Sequence, residues 1–123
     1  MGEQLVVKMN GHKLSLYISI SDHGKSTCYG RCAKMWPPLI DRGLIVVANR
    51  SCHRGPCYIH QEHLGTVKRK GGSLQVTYHG RPLYRYRRDT ETGQVQGQGK
   101  NYNWAAITPE GAFYCKGLGI CSY

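Results

Sequence analysis

The chain has 123 residues, a length typical of one domain, and its apolar runs are too short for a membrane span or a signal core. It carries 17 Lys and Arg against 7 Asp and Glu, and this formal net charge of +10 favours either an anionic partner or a soluble basic surface. With nine Tyr and one Phe, most aromatic side chains carry hydroxyls, which suits half-exposed strands better than an apolar helical interior.

The first predicted element is a β-hairpin. Asn10 and Gly11 separate a short apolar run from the alternating run 13–20, and Asn-Gly between such runs is a strong signal for a two-residue turn. This turn pairs Val7 with Leu14, which places the apolar residues of both runs on one face. We therefore expect residues 13–20 to form a half-buried strand.

The middle of the chain is less regular. Residues 28–36 favour one or two helical turns, which Pro37 and Pro38 would end. A short apolar strand is expected at 44–48, and the stretch 49–63 is irregular and rich in Cys and His.

The second half is predicted to consist of strands joined by glycine-rich turns. The expected segments are strands 64–70 and 73–78 around Gly71 and Gly72, a strand at 82–88, a loop at 94–99, and a closing hairpin of strands 102–108 and 112–115. Since no window of helical period exceeds about ten residues, we predict a mainly β domain, barrel-like or sandwich-like, built from hairpins.

The two halves look like copies of one unit. Leu16-Tyr17 is followed by Asp22, and Leu83-Tyr84 is followed by Asp89 at the same spacing, 67 residues later. Trp36 and Trp104 follow at nearly the same offset. A fixed internal period predicts one domain of two pseudo-repeats, at about 5–48 and 64–115, separated by the Cys/His segment 49–63 and followed by the tail 116–123.

Six cysteines in so short a chain favour an oxidised, extracytoplasmic domain stapled by disulfides, although six allow 15 pairings. They fall into three tight pairs, Cys28 with Cys32, Cys52 with Cys57, and Cys115 with Cys121. The first four residues lack the basic start of a secretory signal, so the chain is either cytosolic or a mature region with an added start. The cysteines favour the second alternative, and we expect an exported or cell-envelope protein.

One candidate metal site lies in the irregular segment. Thiolate and imidazole suit zinc or copper, and this segment concentrates both. The candidate ligands are Cys52, His53, Cys57, His60 and His63. The alternative interpretation is a Cys52–Cys57 disulfide with solvated histidines around it, since the spacing matches no standard zinc pattern.

A candidate anion-binding surface follows from the densest run of positive charge. Its members are Lys68, Arg69, Lys70, Arg81, Arg85 and Arg87. Along the predicted strand Arg81, Arg85 and Arg87 share one face, and Tyr84 and Tyr86 share the other. This arrangement favours phosphate or sulfate polymers over specific nucleic-acid recognition. A solvated strand face is the alternative.

These segments also resemble a known family. The stretches 28–39, 64–69 and 75–84, the motif Tyr84-x-Tyr86-x-x-Asp89, and Gly97-Gln98-Gly99 with Trp104 closely resemble the secreted-repeat lipoproteins of bacteria and archaea. The resemblance implies an exported, often lipid-anchored domain of poorly defined function. The first copy departs from the motif, since Ser19 stands where the second aromatic residue belongs.

Tyr17, Asp22, Trp36, Tyr84, Tyr86, Asp89 and Trp104 are therefore the family-motif residues, and the two aspartates are expected to close turns. No nucleophile elbow, paired-histidine helix or acid/base carboxylate pair is recognisable, so we expect no enzymatic activity. The sequence predicts a non-catalytic extracytoplasmic binding or structural module. The alternatives are a metal-binding or electron-transfer accessory protein, a binder of anionic polymers, and a self-assembling surface protein.

Overall fold

Ten strands and two short helical segments make up the described part of the computed structural model, which comprises residues 5–42, 45–48, 63–107, 112–115 and 119–122. The elements are β1 Leu5–Met9, β2 His12–Ser15, β3 Tyr17–Ser19, α1 Arg31–Met35, β4 Ile45–Ala48, β5 Leu64–Lys68, β6 Leu74–Tyr78, β7 Arg81–Tyr84, a 3₁₀ turn Lys100–Tyr102, β8 Trp104–Ala106, β9 Ala112–Cys115 and β10 Gly119–Ser122. The predicted mainly β class is confirmed. Among the described residues, no helix has the length and apolar character needed to cross a membrane.

The strands form three sheets, with the orders β2-β1-β4, β10-β9 and β5-β6-β7-β3-β8. Each order has two ends, so the described strands form open sheets rather than a closed cylinder. All strand pairs are antiparallel.

The first hairpin has the predicted register, with Val7 opposite Leu14. Asn10 and Gly11 both have positive φ, 49° and 81°, as a two-residue turn of the type favoured by strand twist requires. The β6–β7 hairpin uses the same geometry at His79 and Gly80, with φ of 51° and 75°.

The predicted half-buried strand at 13–20 is wrong in two respects. The run breaks at Leu16 into β2 and β3, which belong to different sheets. Every side chain from Leu14 to Ser19 is buried. Alternation predicts one solvated face, but β3 lies between β7 and β8 and both of its faces are covered.

The predicted strand at 82–88 ends early, at Tyr84. Beyond it the chain runs beside the end of α1, where the amides of Arg85 and Arg87 donate to the carbonyls of Pro37 and Met35, both at 2.8 Å. The arginines therefore do not continue one regular strand face.

The turn of the predicted closing hairpin, residues 108–111, lies outside the described residues, and that hairpin stays a prediction. Strand β8 pairs with β3, whereas β9 pairs with β10.

In each half a loop leads to a tryptophan, and the residues after that tryptophan form backbone hydrogen bonds with a strand. The carbonyl of Leu39 accepts a hydrogen bond from the amide of Val76 at 2.8 Å, and the amide of Leu39 donates to the carbonyl of Leu83 at 2.9 Å. In the other copy the carbonyl of Ile107 accepts the amide of Leu5 at 2.8 Å. The predicted limits of the two pseudo-repeats stay a prediction.

The interior consists of two apolar clusters. The first is aliphatic apart from Tyr78 and contains Leu5, Val7, Leu14, Leu16, Ile18, Leu39, Tyr78, Leu83, Ala105 and Ile107. The second is mainly aromatic and contains Tyr17, Cys28, Trp36, Tyr84, Tyr86, Trp104 and Ala106. Residues of β3 and β7 alternate between them, so the central strands separate the two clusters. The half-exposed position expected for the tyrosines is wrong for these members.

Leu83→Ala should lower the free energy of unfolding by about 2–5 kcal/mol, because it removes a fully buried side chain and leaves a cavity. Leu74→Ala is the matched control, since Leu74 is 43% exposed. Urea unfolding of both variants measures the difference. Equal losses would contradict the assignment of Leu83 to the core.

Candidate functional site

The tyrosines and aspartates of the family motif form crossed pairs between the two repeats. The Tyr17 hydroxyl donates to Oδ2 of Asp89 at 2.5 Å, and the Tyr84 hydroxyl donates to Oδ2 of Asp22 at 2.7 Å. Tyr17 and Tyr84 lie opposite each other where β3 pairs with β7. Each repeat therefore supplies the tyrosine for the aspartate of the other.

Both aspartates also close a turn within their own repeat. The amide of each one donates to the carbonyl three residues earlier, at 3.0 Å. Oδ1 of Asp22 accepts the amide of Thr27 at 3.1 Å, and Oδ1 of Asp89 accepts the amide of Gln96 at 3.0 Å. The turn role expected from the sequence is confirmed, but the sequence did not reveal the crossed partners.

The two tryptophans of the motif stack on each other between these pairs. The ring centroids of Trp36 and Trp104 lie 4.0 Å apart with planes inclined by 6°. Tyr17 meets Trp36 edge-on at 5.3 Å, and Tyr84 meets Trp104 edge-on at 5.1 Å. The second aromatic residue of the motif, Tyr86, packs on Trp36 at 4.5 Å.

Ser19 makes the first copy different from the second. It lies opposite Trp104, and its hydroxyl accepts a hydrogen bond from the Asn103 side chain at 2.8 Å. A polar pair thus occupies the position that an aromatic ring fills in the second copy. In the second copy Gly97 lies close to the Trp36 ring. A Cβ atom at position 97 would come within 2.6 Å of that ring, so only glycine fits.

Burial sets the protonation state of the paired tyrosines. It is the largest cause that raises the pKa of Tyr17, and the hydrogen bond to Asp89 raises that pKa further. Burial, together with Asp22, raises the pKa of Tyr84 to about 12, although the Ser26 hydroxyl opposes the shift. Both phenols therefore stay protonated at neutral pH, as donors to carboxylates. They have no exposed surface to offer a ligand.

Arg69, one of the predicted anion-binding residues, is buried and belongs to this network. Its Nη1 donates to the Ser26 hydroxyl at 2.6 Å and to the Gln75 side chain at 2.9 Å, and its Nη2 donates to the Cys28 carbonyl at 2.8 Å. The Ser26 hydroxyl lies 2.5 Å from that of Tyr84, which in turn donates to Asp22. A cation and a carboxylate are thus linked through two hydroxyls, which compensates for the burial of both charges.

The other predicted anion-binding residues differ in exposure. Lys68, Lys70 and Arg87 are exposed, whereas Arg81 and Arg85 are half-buried. Burial lowers the pKa of Arg85.

Two of the exposed anion-binding candidates, Lys70 and Arg87, lie near opposite ends of α1. Two further exposed cations, which the sequence did not suggest, lie on the helix itself. The ammonium of Lys70 lies 5.3 Å from the centre of the Tyr29 ring, just before α1 begins. The backbone amide of Arg87 donates a hydrogen bond to the carbonyl of Met35, the last residue of α1. Arg31 and Lys34, both exposed, lie on the helix between them. We call Arg31, Lys34, Lys70 and Arg87 the α1 cations. Spacing by one helical turn was the signal for the two missed residues.

One of the three predicted disulfides is confirmed. Cys28 and Cys32 are bonded, with Cα atoms 5.2 Å apart, and Cys28 is buried in the aromatic cluster. Cys52 and Cys57 lie outside the described residues. The strand register places Cys115 opposite Gly119 and Cys121 opposite Phe113, and a bond between these two cysteines stays a prediction.

Four of the five candidate metal ligands, Cys52, His53, Cys57 and His60, lie outside the described residues. The fifth, His63, stacks on His79 with ring centroids 3.9 Å apart. Burial lowers the pKa of His79, and the neighbouring His63 charge lowers it further. The described residues contain no group of three or more potential ligands, so zinc or copper binding stays a prediction.

Comparison with known proteins gives one match. Residues 65–108 match the model of a family described as a secreted repeat of unknown function. This segment includes Tyr84, Tyr86, Asp89, Gly97 and Trp104, and it confirms the resemblance seen in the sequence. No curated protein and no solved structure matches the chain.

The crossed pairing predicts a specific pattern of energetic coupling. Tyr17→Phe and Asp89→Asn should each cost about 1–3 kcal/mol, because each disrupts a buried hydrogen bond to a charged group. Their effects should be non-additive by at least about 0.5 kcal/mol, whereas Tyr17→Phe combined with Asp22→Asn should be additive. Urea unfolding of the two double-mutant cycles measures this. Coupling of Tyr17 to Asp22 instead would contradict the crossed arrangement.

Alkaline pH should destabilise the fold through these phenols. An unfolded tyrosine loses its proton near pH 10, about the ordinary pKa, whereas folded Tyr84 keeps its proton until about pH 12. The unfolded state therefore binds fewer protons in this window, and stability present below pH 10 is lost as the pH rises towards 12. Urea unfolding across this range should show a shallower fall for Tyr84→Phe. The same slope in both proteins would contradict the raised pKa.

Proposed function

We propose that this chain, which carries a secreted repeat over residues 65–108, acts outside the cytoplasm as a non-catalytic binding or structural module. The lipid anchor implied by the family resemblance is part of this proposal only as a prediction.

The observation that supports this proposal most directly is that the side chains of the family motif contact one another in the protein interior. The hydroxyls of Tyr17 and Tyr84 and the carboxylate oxygens of their aspartate partners all have hydrogen-bond partners within the protein. The two tryptophan rings of the motif stack on each other in the interior. Protonated phenols and hydrogen-bonded carboxylates at turns hold structure and do not present a reactive group to solvent. Recognition of a partner therefore falls to the surface.

The surface best suited to bind an anionic partner is the one that carries the α1 cations. Arg31 and Lys34 lie on a helix that a disulfide fixes at Cys32. Lys70 is held near this helix, since its backbone amide donates a hydrogen bond to the Tyr29 hydroxyl at 3.1 Å. Lys and Arg fixed on one rigid element can contact successive phosphate or sulfate groups. We infer that anionic polymers bind here, and Arg69 takes no part because it is buried.

Binding of heparin and of polyphosphate tests this proposal. The logarithm of affinity should fall steeply and linearly with the logarithm of salt concentration. Arg31→Glu with Lys34→Glu should reduce that slope by about two, one for each lost contact. The matched control is Lys8→Glu, an exposed charge on the β1–β2 hairpin, which should leave binding nearly unchanged. A flat salt response would overturn the polymer-binding proposal.

A further inference from the structure

Strand β5 forms an edge of the five-stranded sheet, and its outer side is open in the part of the chain that the structure describes. Among the described strands it pairs with β6 alone, over all five of its residues. Thr66 and Lys68 are exposed and Leu64 is half-buried. An edge strand of this length presents a row of amides and carbonyls to which another strand can add.

The hydrogen-bond pattern shows which groups face outward. In an antiparallel pair the bonded residues alternate. The amide of Arg69 donates to the Ser73 carbonyl at 2.8 Å and the amide of His79 donates to the His63 carbonyl at 2.9 Å, so the odd-numbered residues of β5 face β6. Leu64, Thr66 and Lys68 therefore direct their amides and carbonyls to the open side.

The other side of β6 supports this assignment. The Leu74 carbonyl accepts the amide of Asp41, and the Val76 amide donates to the Leu39 carbonyl, each at 2.8 Å. These groups of β6 point away from β5, as the alternation requires. Leu64, Thr66 and Lys68 have no hydrogen-bond partner for these outward groups among the described residues.

In the described part of the chain, β5 has one device that commonly protects an edge strand, a lysine, but lacks two others. It contains no proline, and its ladder with β6 runs without a bulge through five consecutive pairs. The single charge on the strand, Lys68, lies at its end, with Lys70 two residues beyond. The face shared with β6 carries the exposed Leu74 and the half-buried Val76. An added strand would thus meet apolar side chains and then two cations.

Charge decides between the occupants of this edge. Pairing β5 with β5 of a second copy would bring together two chains that each carry a net charge of +10. An extended acidic segment instead meets Lys68 and Lys70 with complementary charge. We propose that β5 binds an extended peptide segment of alternating acidic and apolar residues, which adds as a sixth strand to the sheet.

Amide hydrogen exchange in the intact protein tests this inference residue by residue. In the free protein the amides of Leu64, Thr66 and Lys68 should exchange fast and those of Gly65 and Val67 slowly. A synthetic peptide of about eight alternating Glu and Val residues, long enough to span one strand, should slow the three fast amides. A peptide that alternates Lys and Val is the charge control and should have no effect.

Two variants separate backbone pairing from charge alone. Thr66→Pro removes an outward amide without breaking the ladder with β6, and it should weaken peptide binding about tenfold, whereas Thr66→Val keeps the amide and should bind normally. Thermal unfolding checks that both variants are folded. Equal binding by Thr66→Pro and Thr66→Val would overturn the inference.

Two further outcomes would also overturn it. The three amides are protected without peptide in a concentration-dependent manner if a second copy occupies the edge. Loss of peptide binding in the Arg31→Glu, Lys34→Glu variant would place the peptide on the α1 cations instead. Because these residues lie on α1 and not on β5, failure of strand addition and failure of polymer binding are distinguishable.

Discussion

The crossed tyrosine–aspartate pairs are the constraint on which the rest of this structure depends. Tyr17 and Tyr84 meet across the two central strands, and each donates to the aspartate of the other repeat. Oδ2 of each buried carboxylate has its partner in the other repeat, and a buried charged group that loses such a partner destabilises the fold. The stacked tryptophans fill the space between the pairs. The motif therefore explains why the two halves form one unit.

The two tyrosine–aspartate pairs are alike, but the residues around them differ between the copies. Asp22 is linked through Tyr84 and Ser26 to the buried Arg69, whereas Tyr17 on the Asp89 side accepts the backbone amide of Gly97. Polar Ser19 replaces the ring that Tyr86 provides in the second copy. The charged network thus joins Asp22 and Ser26 of the first copy to Tyr84 and Arg69 of the second. The first copy also contains the confirmed disulfide and α1 with its exposed cations.

Charge in the sequence and charge on the surface are different quantities in this protein. Lys68, Arg69 and Lys70 are consecutive, but the middle one is buried while its neighbours are exposed. Arg69 follows the last residue of β5 and lies against Ser26 and Gln75, whose side-chain oxygens accept hydrogen bonds from its guanidinium. The cations available to a partner come from separate segments that meet around α1.

The sequence by itself determined the local structure, because turn chemistry and alternation act over a few residues. Asn10 and Gly11 set the register of the first hairpin, the glycine pair placed the second, and the spacing of Cys28 and Cys32 allowed a bond within one helical turn. The repeated motif identified the family segment. Only the tertiary structure decided that Leu16 divides a strand between two sheets, that β9 pairs with β10, and that Arg69 is buried. It also revealed the crossing of the pairs, because a periodic sequence shows that two copies exist but not which residues of one copy meet those of the other.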